Sequence, residues 1–164
     1  MQGFILDLRN NPGGLVKSGM EVARLWMDGE APVFNLTSRK AVPTGEEVFT
    51  EQVVLDAGAA ATTLPLTVLI NENSASASEI LAGALHDNAR AELIGRTSYG
   101  KGRMQSVYEL DDGSALFVTV AKYKTPSMNV RGLWGLGRSS KKGVNIITAS
   151  QLVVLLSSTI RHAG

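Results

Sequence analysis

No cysteine occurs anywhere in the 164 residues, which excludes disulfides, thiolate zinc sites and a cysteine nucleophile while leaving the cellular compartment open. Histidine is nearly absent as well, with only His86 and His162. Aromatic residues make up just 5%, so the core must be built mostly from aliphatic side chains. No apolar run approaches the roughly 20 residues that span a bilayer. The longest near the end is Leu152 to Leu156, and no signal peptide is visible ahead of the first strand-like run. The sequence reads as a soluble protein, or a soluble piece of one. A net charge of +1 gives no argument for nucleic acid or a membrane surface as partner.

What is present is an ordinary globular composition, 44% apolar and 19% charged, in a chain long enough to bury one core. The charge is unevenly spread. Residues 1–130 carry eleven basic and fifteen acidic residues, net −4, whereas residues 131–164 carry five basic residues and no acidic one, net +5. This asymmetry predicts a body at 1–127 and a basic tail of different character at 128–164.

Gly3 to Leu8 reads as a short buried strand closed by the turn-forming run Asn10-Asn11-Pro12-Gly13-Gly14. From Leu15 the apolar spacing becomes helical, with Val16, Met20, Ala23 and Met27 on one face, and Asp28-Gly29 ends the helix. Short strands are expected near Val33–Leu36 and Val48–Leu55. Leu66 to Ile70 is a second buried strand, followed by a helix with Ile80, Leu81, Ala84 and Leu85 as its apolar face. Ala91 to Gly95 is another strand, and Met104 to Leu110 with Ser114 to Val120 form a hairpin around Asp111-Asp112-Gly113. Strand–turn–helix units at 3–27 and 66–89 predict an α/β architecture of layered sheet and helices.

Two segments could carry chemistry. Ser76 lies between a buried strand and a helix, within Ser74-Ala75-Ser76-Ala77-Ser78-Glu79. Ser76 and Glu79 have the S-x-x-E spacing of a capping box, which satisfies free N–H groups at a helix start. Capping is the plainer reading of Ser76 alone, but a nucleophile at the same place is physically sensible, because an oxyanion formed there could sit near N–H groups and the positive helix end. A serine needs a base. His86 stands ten residues further along the same helix, about 15 Å away along its axis, and His162 is close to the C-terminus, so a Ser/His/Asp triad is not expected. Lys101, between Gly100 and Gly102, is the better candidate base. A lysine acts as a base only when neutral, so its pKa must fall from about 10.4 toward 7–8. The roughly 4 kcal/mol this requires can come from burial. A polar neighbour must also hold the amine, and Gln105 is a candidate. An ordinary solvated loop lysine remains the plain alternative. Gly95 to Lys101 also matches the G-x-x-x-x-G-K part of a P-loop, but Gly102 stands where Ser or Thr should bind magnesium and a strand follows where a helix should. The Gly13-Gly14 turn is either a simple turn or a backbone offering N–H groups to an oxyanion.

Taken together, Ile5 to Gly14, Ser74 to Ile80, Tyr99-Gly-Lys-Gly102 with Gln105, Asp112 to Leu116 and Tyr123 to Pro126 resemble the carboxyl-terminal processing peptidases, or tail-specific proteases, of peptidase family S41. Order and spacing agree over residues 3–127. Glu79 to Asn88 and Leu116 to Lys122 look most like the plant and algal chloroplast members. The resemblance implies a crotonase/ClpP-like fold and serine-type cleavage of proteins near their C-termini. It implies Ser76 as nucleophile, Lys101 as general base, Gln105 as the residue orienting that lysine, and Ala77 and Gly13 as oxyanion-hole donors. It implies no metal or organic cofactor, and proteins or peptides with exposed C-termini as partners. For chloroplast members it implies a photosystem II D1-like precursor in the thylakoid lumen. Family members usually carry an upstream PDZ domain, so residues 1–127 are expected to be a partial catalytic core, with self-association or pairing with a PDZ-containing subunit. The alternative is a non-catalytic binding or regulatory fragment of the same fold. An acyl-CoA-binding enzyme, suggested only by the crotonase-like fold, is a third reading, and a thioester turnover assay separates it.

Overall fold

The computed structural model describes residues 3–43, 45–128 and 145–148. Within them the chain runs β1 (Phe4–Asp7), α1 (Val16–Ala23), β2 (Pro32–Val42), β3 (Gly45–Val54), β4 (Leu66–Ile70), α2 (Ala77–Asp87), β5 (Ala91–Gly95), β6 (Arg103–Glu109), β7 (Ala115–Lys124) and β8 (Asn145–Thr148). This is the α/β class expected from the alternation of periods. The remainder of the 128–164 segment, including His162, lies outside the described residues, apart from Met128 and β8.

Two four-stranded sheets divide the work. One is parallel, in the order β5-β4-β1-β8. Its central strands are near-continuous aliphatic runs because parallel strands are covered on both faces. Leu6, Val68, Ile70 and Leu93 are almost wholly buried there. They pack with Ile80, Leu81 and Leu85 of α2 and with Val22, Ala23, Trp26 and Met27 in and after α1. The other sheet is antiparallel, in the order β3-β2-β7-β6. Its outer hairpin adds little to the core, since Val107, Tyr108, Leu116 and Phe117 are all more than half exposed.

Three boundaries differ from the sequence expectation. The first helix closes at Ala23, four residues before Met27. Leu25 and Trp26 N–H donate three residues back, to Val22 and Ala23, a tightened last turn that swings Trp26 and Met27 into the core. The strands β2 and β3 run far past their apolar centres, through Thr37, Arg39, Lys40, Glu46 and Glu47. A ladder of this kind is held by its backbone bonds and needs no apolar face to continue. Finally, Asn145–Thr148 pairs in parallel with Phe4–Asp7, so part of the basic segment adds a strand to the sheet.

Helix α2 is tied to the end of β7 at both of its own ends. Near its C-terminus the almost buried Asp87 carboxylate accepts from Ser127 N–H at 2.8 Å, Ser127 Oγ at 2.6 Å and His86 Nδ1 at 3.1 Å. Burial alone would raise the Asp87 pKa, but the Ser127 and Thr125 hydroxyls, the Ser127 N–H and His86 outweigh it and hold the carboxyl below the ordinary range. A depressed folded pKa adds stability above the unfolded value, about 3.9, that is lost as pH falls through the folded value. Asp87→Asn should therefore lower stability at pH 7 by about 1–3 kcal/mol. The gap from wild type should close on acidification below the ordinary carboxylate range. Denaturant melts of both proteins across pH check this, and equal stability at neutral pH would remove the Asp87 staple.

Candidate active site

The carboxyl ends of β1 and β4 lie side by side, and the loop leaving each one faces the other. After β4 the chain turns sharply at Ser76, with φ 56° and ψ −121°, before entering α2. A non-glycine residue so far from the allowed regions stores about 1–3 kcal/mol and persists only where its surroundings enforce it. Such a strained strand-to-helix turn lifts a side chain out of the fold toward solvent. Ser76 is accordingly half-buried between the buried Ala75 and Ala77.

Glu79 was legible as half of a capping box, and Ser76 N–H does donate to Glu79 Oε2 at 2.9 Å. The reciprocal box is present, with the Ser76 hydroxyl facing the Glu79 N–H, and the Ser76 carbonyl oxygen meets that same N–H at 2.9 Å. The larger role of Glu79 was not foreseen. Its carboxylate, only 5% exposed, also accepts from Ser98 Oγ at 2.6 Å, Gly100 N–H at 2.6 Å, Lys101 N–H at 3.1 Å and the Tyr123 hydroxyl at 3.4 Å. Burial first, then the negative charge of Glu79, pushes the Tyr123 phenol well above its ordinary pKa, so it stays protonated as a donor.

This carboxylate joins the two residues singled out for chemistry. The backbone nitrogens of Ser76 and Lys101 donate to the same oxygen, so they lie no more than about 6 Å apart. The Gly95–Lys101 segment thus spends its N–H groups on a carboxylate, and a strand follows it, as the rejection of a P-loop expected. Positive φ at Gly100 (78°) and Gly102 (57°) bends the loop around Lys101. Gly102 is pinned in turn, its carbonyl accepting from Tyr123 N–H at 3.1 Å.

The side chains of Lys101 and Gln105 are exposed. Among the described residues no hydrogen bond joins the Lys101 amine to Ser76 or to Gln105. Gln105 sits in β6 beside an irregularity in its pairing with β7. Ser76, Ala77 and Gly13, by contrast, are drawn together. A Cβ on Gly13 would stand 2.5 Å from the Ala75 carbonyl oxygen, 2.7 Å from Ala77 N and 2.8 Å from Ser76 Cβ, and its φ is +95°. Only glycine fits. The Gly13 N–H donates to Asn11 Oδ1 at 2.9 Å, so in this conformation it is already engaged. Gly13→Ala should push the two loops apart and lower stability by about 1–3 kcal/mol. Denaturant melts check this, and an unaltered midpoint would show that the loops accommodate a Cβ there.

The two loops are also stitched through asparagines. Asn71 Nδ2 and Asn73 Nδ2 each donate to Asn10 Oδ1 at 2.9 Å, and Asn10 N–H donates to Asn71 Oδ1 at 2.9 Å. Ala75 N–H donates to the Asn11 carbonyl at 3.1 Å, and the fully buried Ser74 hydroxyl donates to the Leu8 carbonyl at 2.7 Å. Of these residues, the sequence marks Asn10 and Asn11 as turn formers. At the rim, Arg9 Nε and Nη2 grip the Asp7 carboxylate at 2.9 and 2.7 Å, and these hydrogen bonds hold Asp7 below the ordinary carboxylate range. His86 is on the exposed face of α2, bonded to Asp87 and away from Ser76. Among the described residues no group of three His, Asp or Glu side chains is placed to hold a metal ion, and no helix is long and apolar enough to cross a membrane.

The sequence pattern of peptidase family S41 matches residues 1–133. Over 129 residues the chain is 56% identical to carboxyl-terminal-processing peptidase 3, chloroplastic, of Arabidopsis thaliana, covering 79% of this chain and 24% of that protein. Over 124 residues it is 52% identical to the carboxyl-terminal-processing protease of Synechocystis, covering 76% of this chain and 27% of that one. The solved photosystem II D1 C-terminal processing protease superimposes with a TM-score of 0.66 at 37% identity, covering 85% of this chain and 35% of that structure. The chain therefore spans about a quarter of the length of these curated relatives.

Proposed function

The chain belongs to peptidase family S41, and from its site we propose that it is the catalytic core of a serine-type peptidase that cleaves proteins near their C-termini. The observation that carries this reading is the single buried carboxylate that holds the strained Ser76 turn and the Lys101 loop together. Ser76 Oγ attacks the scissile carbonyl carbon while Lys101 takes the hydroxyl proton. The carbonyl electron pair moves onto oxygen, which Ala77 N–H and Gly13 N–H receive once the latter leaves Asn11 Oδ1. Collapse expels the amine, which takes its proton from Lys101, and water then releases the acyl group from Ser76. Gln105 orients the Lys101 amine once a peptide is bound. No metal or organic cofactor is required.

Similarity to chloroplast relatives supports a chloroplast protein, with the thylakoid lumen as site of action and a D1-like precursor as substrate. Residues 1–127 act as the core, and a PDZ-containing partner or further copies of the chain assist in capturing substrate tails.

An unstructured peptide with a tagged C-terminus, offered to the purified chain and to its Lys101→Ala variant, tests the reading. Cleavage by wild type and none by the variant is the expected result. No cleavage by a chain shown to be folded would favour the non-catalytic, regulatory reading of the same fold. Turnover of an acyl-CoA thioester in place of the peptide would favour the third.

A further inference from the structure

Ser76 and Ala77 sit on one loop and Gly13 on another, so the width of the oxyanion hole depends on whatever fixes the loops to each other. Near Gly13 the direct link is the Ala75–Asn11 backbone bond. The Gly13 N–H offers no help while reacting, because it must exchange Asn11 Oδ1 for the oxyanion. A reciprocal pair of amide bonds lies one residue before Asn11. Asn10 N–H donates to Asn71 Oδ1, and Asn71 Nδ2 donates back to Asn10 Oδ1, both at 2.9 Å. Asn71 Oδ1 also accepts from Asn73 N–H at 3.2 Å, and Asn71 N–H donates to Ser74 Oγ, at 2.9 Å. One carboxamide thus braces the loop behind Ser76 and grips the loop ahead of Gly13. Asn10 is held at φ 57°, a left-handed conformation asparagine tolerates better than most residues, and this aims the following Asn11-Pro12-Gly13 back over Ala77.

We propose that Asn71 is the positioning residue of the oxyanion hole, setting the separation of the Gly13 and Ala77 N–H donors through its paired amide bonds with Asn10. The proposal rests on the peptidase reading above. Asn71 touches no reacting atom in this assignment. Its effect falls on the transition state, where charge gathers on oxygen, and spares the neutral bound peptide.

The test compares wild type, Asn71→Ala and Asn10→Gly. The last removes Oδ1, the acceptor of Asn71 Nδ2 and Asn73 Nδ2, while keeping a residue suited to the left-handed backbone, so it remains informative if Asn71→Ala fails to fold. With the tagged peptide, kcat should fall roughly 10- to 100-fold in each variant while KM stays within about twofold. A peptide aldehyde, whose adduct with Ser76 places an oxygen in the hole, should lose affinity in step with kcat, whereas the same peptide ending in an amide should bind unchanged. Unaltered kcat and aldehyde affinity in a folded variant would overturn the proposal, as would equal losses for aldehyde and amide peptides. If wild type itself cleaves nothing, or cleavage survives Ser76→Ala, the peptidase reading fails and the proposal with it. Ser76-dependent cleavage left untouched by both asparagine variants would overturn the proposal alone.

Discussion

Replacing Ser76 with alanine should abolish peptide cleavage, a loss of roughly a million-fold in kcat on the scale of other serine hydrolases, while the fold stays intact. The turn is held by the Ser76 N–H and carbonyl, and alanine keeps both. The hydroxyl faces the Glu79 N–H in the capping box at the start of α2, so its removal should cost no more than about 1 kcal/mol. Lys101→Ala separates chemistry from folding in the same way. The lysine holds its loop through backbone N–H to Glu79, and its exposed side chain can be removed with activity lost and the melt unchanged. Matched denaturant melts and steady-state assays check both. Retained cleavage in the two purified variants would defeat the assignment of nucleophile and base.

Glu79→Gln should be damaging in both respects, although it changes one atom. As a carboxylate Glu79 is an acceptor at both oxygens, with Ser98 and Gly100 on Oε1 and Ser76, Lys101 and Tyr123 on Oε2. An amide must turn its NH2 toward one of these groups of donors, and from there it accepts from none of them. Each stranded donor costs about 1–3 kcal/mol, so a loss above about 3 kcal/mol is expected. Because the Ser76 turn and the Lys101 loop share this anchor, kcat should also drop by about 1,000-fold at temperatures where the variant is folded. Denaturant midpoints and single-turnover rates measure the two effects. A stable Glu79→Gln protein with wild-type turnover would show that the carboxylate does not hold the site.

The parts of this molecule that could be read from its sequence are those fixed by local chemistry. Leu66–Ile70 is apolar because both faces are covered, and Asp111-Asp112-Gly113 turns the β6–β7 hairpin because Gly113 takes φ +81°. Ser76 and Lys101 stood out because each sits where a turn exposes it. What escaped the sequence depends on residues distant along the chain. Nothing near Glu79 announces that Ser98, Gly100, Lys101 and Tyr123 converge on it. Likewise nothing local ties Asn10 to Asn71, 61 positions along the chain. The polar halves of β2 and β3 were missed for a related reason, since cross-strand backbone pairing leaves no apolar signature. Gln105 and Lys101 are a different case, because both side chains are exposed and their pairing belongs to the proposed chemistry.

Trapping the covalent intermediate is the most direct test of the proposed chemistry. The purified chain is mixed with excess unstructured peptide, the reaction is stopped in acid, and the mass of the protein and of its fragments is measured. The expected result is an acyl group on Ser76, formed by wild type and missing from Ser76→Ala, which also releases no product. An acyl group on another residue, or product formation that continues in Ser76→Ala, would contradict it.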